Sequence, residues 1–238
     1  PGRTLAAYSR YVEEHRRPHR RVRVIGEPIW QGRTPAEEAE WTRYESVLNA
    51  AFARSPAWIL CPYNARVLPD HIVSDARRTH PGLVTGPGEK ASSTYTDPAA
   101  FLALEAAPLP PAPATVAMEL RFDSDLGPMR DRIGLQATLF GLSPDRAGRL
   151  VLAVNEVASN AVIHGGGHGG IQMWTDQSMI ICDVSGPGRM DAPFAGYLPP
   201  DPATPYGQGL WIVRQICDLV QIRATPSSTQ VRLHFGYL

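Results

Sequence analysis

The chain has 238 residues, enough for one large or two small domains, and 43% of them are apolar, so a packed core is expected rather than disorder. Lysine plus arginine equals aspartate plus glutamate at 23 each, so no long-range field favours nucleic acid or an anionic membrane, and neither is expected as a partner. Cys61, Cys182 and Cys217 form no CxxC pair, no apolar run approaches the roughly 20 residues of a membrane span, and no secretory signal opens the chain, which together point to reduced thiols in a cytoplasm.

In chain order, Leu5 to His15 reads as a helix and RVRVIGE as a short strand. Thr34-Pro35 then forms a helix start, an N-cap followed by proline at the first helical position, with Glu37 and Glu38 favouring that end. The helix runs through EEAEWTRYESVLNAAFA. AWILC reads as a buried strand, CPYN as a turn, and PDHIVSDARRTH as another proline-started helix. Strands alternating with helices predict a parallel α/β sheet, and two strands make a poor sheet alone, so an upstream segment is expected before Pro1. Only Lys90 among the basic residues is lysine, a composition bias without functional content.

Residues 107–115, APLPPAPAT, hold four prolines and no charge, the composition of a semi-rigid spacer. Beyond it, TVAMELRFDS predicts a strand with alternating faces. Two helices follow, DLGPMRDRIGLQATLFG and SPDRAGRLVLAVNEVASNAVIHG; the second has Ser143 as N-cap, Pro144 in the first turn and Gly165 as its stop. GIQMWTD and SMIICDVS predict two strands turning at Asp176-Gln177. A Pro/Gly-rich loop over 186–206 leads to a helix, GLWIVRQICD, and a closing hairpin, LVQIRA with TQVRLHF. This order predicts a two-layer α/β sandwich with its helices on one face.

On the long helix, Leu150, Val154, Val157, Ala158 and Ala161 form a stripe at helical spacing that would pack on the sheet. Glu156 and Asn160 lie one turn apart beside that stripe and point the same way. A carboxylate and a carboxamide there need partners, either a helix–helix hydrogen bond or a ligand. Downstream come the glycines of DVSGPG and then GQGL opening a helix, where backbone amides and the helix dipole suit phosphate oxygens. His164 and His168 beside this region read as groups that cap helical carbonyls rather than as metal ligands. Trp211 and Ile212 read as core, and Arg214 as solvated or facing a partner's acidic surface.

NEVASNAVIHGG, DVSGPG and YGQGLWIV, followed by STQVRLHF, resemble the Bergerat-fold GHKL ATPase domain, closest in flavour to the anti-sigma-factor serine kinases of bacterial switch modules. The resemblance covers residues 116–238. It implies that Asn160 binds the Mg2+ bridging the phosphates of ATP and that Glu156 acts as general base or orients the attacking hydroxyl. It further implies that Gly186 and Gly188 belong to a glycine box, that Gly207, Gly209 and Leu210 contact phosphates, and that Thr229 lies near the adenine. The family's glycine box begins with an aspartate that binds the adenine amino group. Here either Asp183 is that residue, with Ser185 and Pro187 in place of both glycines, or the box starts at Gly186 and the aspartate is lost. Strand periodicity favours the second, since Ile180, Cys182 and Val184 share a face that Gly186 continues.

VRVIGEPIWQGR, YESVLNAAF, ILCPYNA and DARRTHP resemble the later part of the MEDS sensory domain, over residues 1–106. That resemblance implies a small organic ligand. Glu27, Glu45, Asn49, Tyr63 and His80 are the polar candidates for its pocket, with structural hydrogen bonds as the alternative, and Asn64 stands where the family tends to have aspartate. No GxxxxGK[ST] motif occurs, so this half is not expected to bind ATP as a P-loop. Together the resemblances imply an actinobacterial regulator that binds a sigma factor or phosphorylates a serine of a STAS-type anti-anti-sigma protein, with a second copy of the chain as a further candidate partner. Two other readings stay open: a pseudokinase that only sequesters its partner, and a fragment of a sensor histidine kinase.

Overall fold

The computed structural model describes residues 1–18, 20–104, 107–176, 178–188, 190, 192–200 and 207–237. The chain divides into two compact units, Pro1–Glu105 and Ala106–Leu238. Among the described residues, no helix is long and apolar enough to cross a membrane.

The first unit runs α1 (Gly2–His15), β1 (Val22–Ile25), α2 (Pro35–Phe52), β2 (Ala57–Leu60), α3 (Asp70–Thr79), β3 (Gly82–Gly86), β4 (Gly88–Ala91) and α4 (Pro98–Leu104). The expected parallel pairing forms between β1 and β2, with Val22 opposite Ala57 and Ile25 opposite Leu60. The start of α2 is a complete capping box. The Thr34 hydroxyl accepts from the Glu37 amide, and the Glu37 carboxylate accepts from the Thr34 amide at 2.7 Å. The strand AWIL is only partly covered, because Trp58 lies exposed at 38%, so it is not the buried strand that its apolar run predicts. The β3–β4 hairpin and α4 have no counterpart in the sequence reading.

The second unit comprises β5 (Met118–Phe122), α5 (Gly127–Leu139), α6 (Pro144–His164), β6 (Gly169–Asp176), β7 (Met179–Pro187), α7 (Gln208–Ile216), β8 (Leu219–Ala224) and β9 (Ser228–Gly236). The sheet order is β5-β6-β7-β9-β8, antiparallel throughout. The helices bury their apolar stripes on one face, where Leu150, Ala153, Val154 and Ala158 of α6 meet Ile171, Met173, Ile180 and Leu233 at zero exposure. Burying one such side chain stabilises by about 1.5–3 kcal/mol. This is the two-layer sandwich that the element order predicts. Gln177, expected in the β6–β7 turn, lies outside the described residues, as do positions 189, 191 and 201–206 of the expected loop. That loop also starts later than its composition suggests, since β7 continues through Gly186 and Pro187 against Thr229 and Ser228.

The other face of the sheet carries a polar layer. Asp183 and Arg232, directly opposed on β7 and β9, form a bidentate pair at 2.6 and 2.7 Å, and Gln230 donates to Asp183 at 2.9 Å. Residues of the proline segment lie against this layer: Arg232 donates to the Pro110 carbonyl at 2.7 Å and Arg223 to the Ala107 carbonyl at 2.8 Å, with Leu109 buried. The segment expected to behave as a spacer is therefore hydrogen-bonded to the second unit.

Candidate functional site

In the second unit a cavity of about 470 Å³ opens where the end of α6, the end of β7, the start of β9 and the start of α7 converge. Each wall has a local cause. The long helix stops at Gly165, whose amide still bonds to Ala161, and the chain then turns through Gly166 and Gly167 at positive φ. β7 passes so close that a methyl on Gly188 would meet Gly165 Cα at 2.9 Å, and one on Gly186 would meet Ala161 Cβ at 3.0 Å. Gly207 sits at φ +88°, the left-handed conformation from which α7 starts.

Asn160, Gly186, Gly188, Gly207, Gly209, Leu210 and Thr229 all line this one cavity. Asn160 is half-buried, and among the described residues its carboxamide has no side-chain hydrogen bond. Glu156 is not part of the cavity lining but stands beside it. Its carboxylate packs on the first turn of α7, so a methyl on Gly209 would lie 2.6 Å from Glu156 Oε2. It too lacks a side-chain hydrogen bond among the described residues. An amide and a carboxylate beside a helix N-terminus, neither with a side-chain hydrogen bond among the described residues, suit a phosphate–cation ligand. Thr229 is already engaged, its hydroxyl donating to the Gly188 carbonyl at 3.0 Å, so it fixes the glycine turn as well as the wall.

Among the described residues, no carboxylate lines the cavity. Asp183 is 4% exposed and locked to Arg232 on the far face of the sheet, as strand periodicity requires. The spacing also allows a third register beside the two read from the sequence. It keeps Gly186 and Gly188 as the two glycines of the box and puts Val184 in the aspartate's place. Val184 lines the cavity on the same face as Gly186. The clue was available in the string VSGPG, where counting back from both glycines lands on Val184.

Other site expectations divide. His164 lines the cavity and ends α6, and His168 approaches the Gly166 carbonyl at 3.2 Å. Trp211 and Ile212 are half-buried rather than core. Arg214 is not solvated at all: it is 6% exposed, donates to the Ala195 and Val220 carbonyls, and stacks 3.6 Å over the Tyr197 ring. It thereby anchors residues 192–200 to α7, and Ala192 and Ala195 of that segment close one side of the cavity.

In the first unit, Glu27 and Glu45 line a smaller cavity of about 260 Å³ with Tyr8, Arg33, Tyr44 and Cys61. Tyr63 and His80 pack edge to face at 5.6 Å, and His80 Nε2 lies 3.4 Å from Glu45 Oε2. Asn49 instead serves structure, donating to the Thr79 carbonyl at 2.7 Å. Asn64 accepts from the Arg66 amide at 3.1 Å, a turn contact. Burial, reinforced by the Glu45 charge, pushes the Cys61 thiol and the Tyr63 hydroxyl well above their ordinary pKa values.

Comparison with known families gives one match in each unit. Residues 1–81 match the family described as MEDS, the MEthanogen/methylotroph, DcmR Sensory domain. Residues 124–235 match the family described as the histidine kinase-like ATPase domain. No curated protein matches the chain. The chain thus joins an N-terminal MEDS sensory domain to a C-terminal ATPase domain of the GHKL, histidine kinase-like type.

Proposed function

We propose that the protein is a cytoplasmic signal-responsive regulator whose ATPase-like domain binds Mg-ATP and phosphorylates a serine of a STAS-type anti-anti-sigma protein, or binds the sigma factor itself. The observation that carries this reading is the convergence of Asn160, Gly207 and Gly209 on one cavity, with the Glu156 carboxylate against the same helix start. In it, the α7 backbone amides receive the phosphates, Asn160 holds Mg2+, and Glu156 orients or accepts the proton of the serine hydroxyl. Bound Mg2+ would neutralise charge on the transferring phosphoryl group. The rest of the catalysis is positioning by these side chains.

Val184 favours a second reading, the pseudokinase. An apolar side chain cannot accept the adenine amino group. Losing a hydrogen bond to a charged acceptor weakens binding by about 1.5–3 kcal/mol, roughly ten- to a hundredfold. Calorimetry with Mg-ATP separates the two, and labelled ATP with a STAS partner then tests transfer. Micromolar binding with labelled partner supports the kinase. Binding that stays undetectable, together with stable complex formation by the partner, supports sequestration alone.

A further inference from the structure

We propose that the first unit carries a site for a divalent transition-metal ion of zinc-like chemistry, held by Glu45, Cys61 and His80, with one coordination position open to the adjoining cavity. The three ligands come from three elements: Glu45 from the middle of α2, Cys61 from the residue after β2, and His80 from the C-cap of α3. Cys61 thus sits at the carboxyl end of a parallel strand, where open α/β sheets place ligands. One carboxylate oxygen, the thiol sulfur and one imidazole nitrogen all lie within 4.8 Å of one another. Ligands about 2.0–2.3 Å from a tetrahedral Zn2+ stand roughly 3.3–3.6 Å apart, and the Glu45–His80 pair is already at 3.4 Å.

The hydrogen bonding around His80 points to a cation independently of that spacing. Nδ1 lies 2.8 Å from the Ala76 carbonyl, which can only accept, and 3.1 Å from the Thr79 hydroxyl; the tautomer that bonds the carbonyl has its proton on Nδ1. In the neutral ring Nε2 is then a bare lone pair, and it faces a carboxylate oxygen. Two acceptors at that distance repel unless a proton or a metal ion lies between them. A backbone carbonyl on the far nitrogen is also the usual arrangement that orients a metal-binding histidine. Glu45 is 3% exposed, and its buried carboxylate faces the Cys61 thiol and the Tyr63 hydroxyl as well as His80.

Charge and chemistry agree with a dipositive ion. One carboxylate and one thiolate balance it, while neutral His80 adds none. Binding forms the metal–sulfur bond and releases the Cys61 proton to solvent. No redox partner is needed. Three protein ligands leave a fourth position, and the cavity of about 260 Å³ beside Glu45 and Cys61 provides room for it. The Tyr44 hydroxyl on that cavity is buried without a hydrogen-bond partner among the described residues, so the fit is to a small oxygen- or sulfur-donor ligand that accepts from it.

Titration of the metal-stripped full chain with Co2+ tests the site. One equivalent should bind with the near-ultraviolet absorption of a thiolate–cobalt bond, displaced by Zn2+. Cys61→Ser should abolish that absorption. His80→Ala should weaken affinity by more than about a hundredfold, since even outer-sphere partners are worth 10- to 100-fold. Should either variant fail to fold, alkylation of the unaltered chain followed by mass mapping gives the same answer, because one equivalent of Zn2+ should slow Cys61 modification at least about tenfold. A thiolate absorption that is missing, or that survives Cys61→Ser, overturns the proposal in favour of an imidazolium–carboxylate pair; so does an unchanged alkylation rate at saturating metal.

Discussion

Asp183 and Val184 are neighbours on β7 whose side chains serve opposite faces of one sheet. Asp183 is 4% exposed and satisfied by Arg232 and Gln230, so its removal would strand a buried guanidinium. Breaking one side of such a pair costs about 3–5 kcal/mol. Asp183→Ala should therefore lower the melting temperature of the second unit sharply, while leaving nucleotide affinity per folded molecule unchanged in calorimetry. A large loss of affinity without loss of stability would restore Asp183 as the adenine ligand. Val184 has the reverse profile. It is 1% exposed on the cavity wall, and Val184→Asp would place a carboxylate where the box lacks one. That variant should bind ATP roughly ten- to a hundredfold more tightly, with preference over GTP, and melt earlier without ligand because the new charge is unpaired. Unchanged affinity would mean that the adenine does not lie against β7.

At the scale of elements, the site is made where helices end and begin, and those ends are the most legible part of the chain. Thr34 and Ser143, each followed by proline, announce α2 and α6, and both hydroxyls do accept from the third amide beyond. The E-x-x-x-N spacing on α6 and the glycines of GQGL likewise give the cavity's two principal walls. What stayed hidden was of three kinds. The β3–β4 hairpin has a strand of four exposed residues and no apolar alternation, so periodicity had nothing to detect. α4 did carry a signal, since Asp97 before Pro98 caps the amides of Ala99 and Ala100 at 2.9 and 3.2 Å. Arg214 was misread because burial of a charge depends on carbonyls from Ala195 and Val220, which come together only in the fold. The helix junction also makes a sharp prediction. Gly209 lies in the first turn of α7, where alanine is a better helix former than glycine, yet its added methyl would meet Glu156 Oε2 at 2.6 Å. Gly209→Ala should keep or raise thermal stability while displacing Glu156, and phosphoryl transfer should fall more than Mg-ATP affinity. Equal loss of both would show that Gly209 matters through its amide rather than through Glu156.

The whole molecule presents two units with separate cores and chemically different cavities, one beside a buried Glu–Cys–His group and one beside a helix N-terminus. A ligand that binds only the folded form of one unit stabilises that unit by an amount set by its own saturation. Differential scanning calorimetry of the full chain should accordingly resolve two transitions, each addressable by its own ligand. At a hundred times its dissociation constant, Mg-ATP adds about 2.7 kcal/mol, on the order of 10 °C for a domain of this size. That shift should fall on the transition of the second unit and vanish in Asn160→Ala, whose side chain faces the cavity and has no hydrogen bond to lose among the described residues. Zn2+ should move the other transition and leave the Asn160→Ala profile as responsive as the parent. A single transition moved equally by either ligand would instead mean that the two units unfold as one cooperative body, with binding in each felt directly by the other. That thermodynamic coupling is what a sensory domain needs in order to control an ATPase, so the separation of the two transitions, measured with and without each ligand, sets how much of a signal one unit can pass to the other.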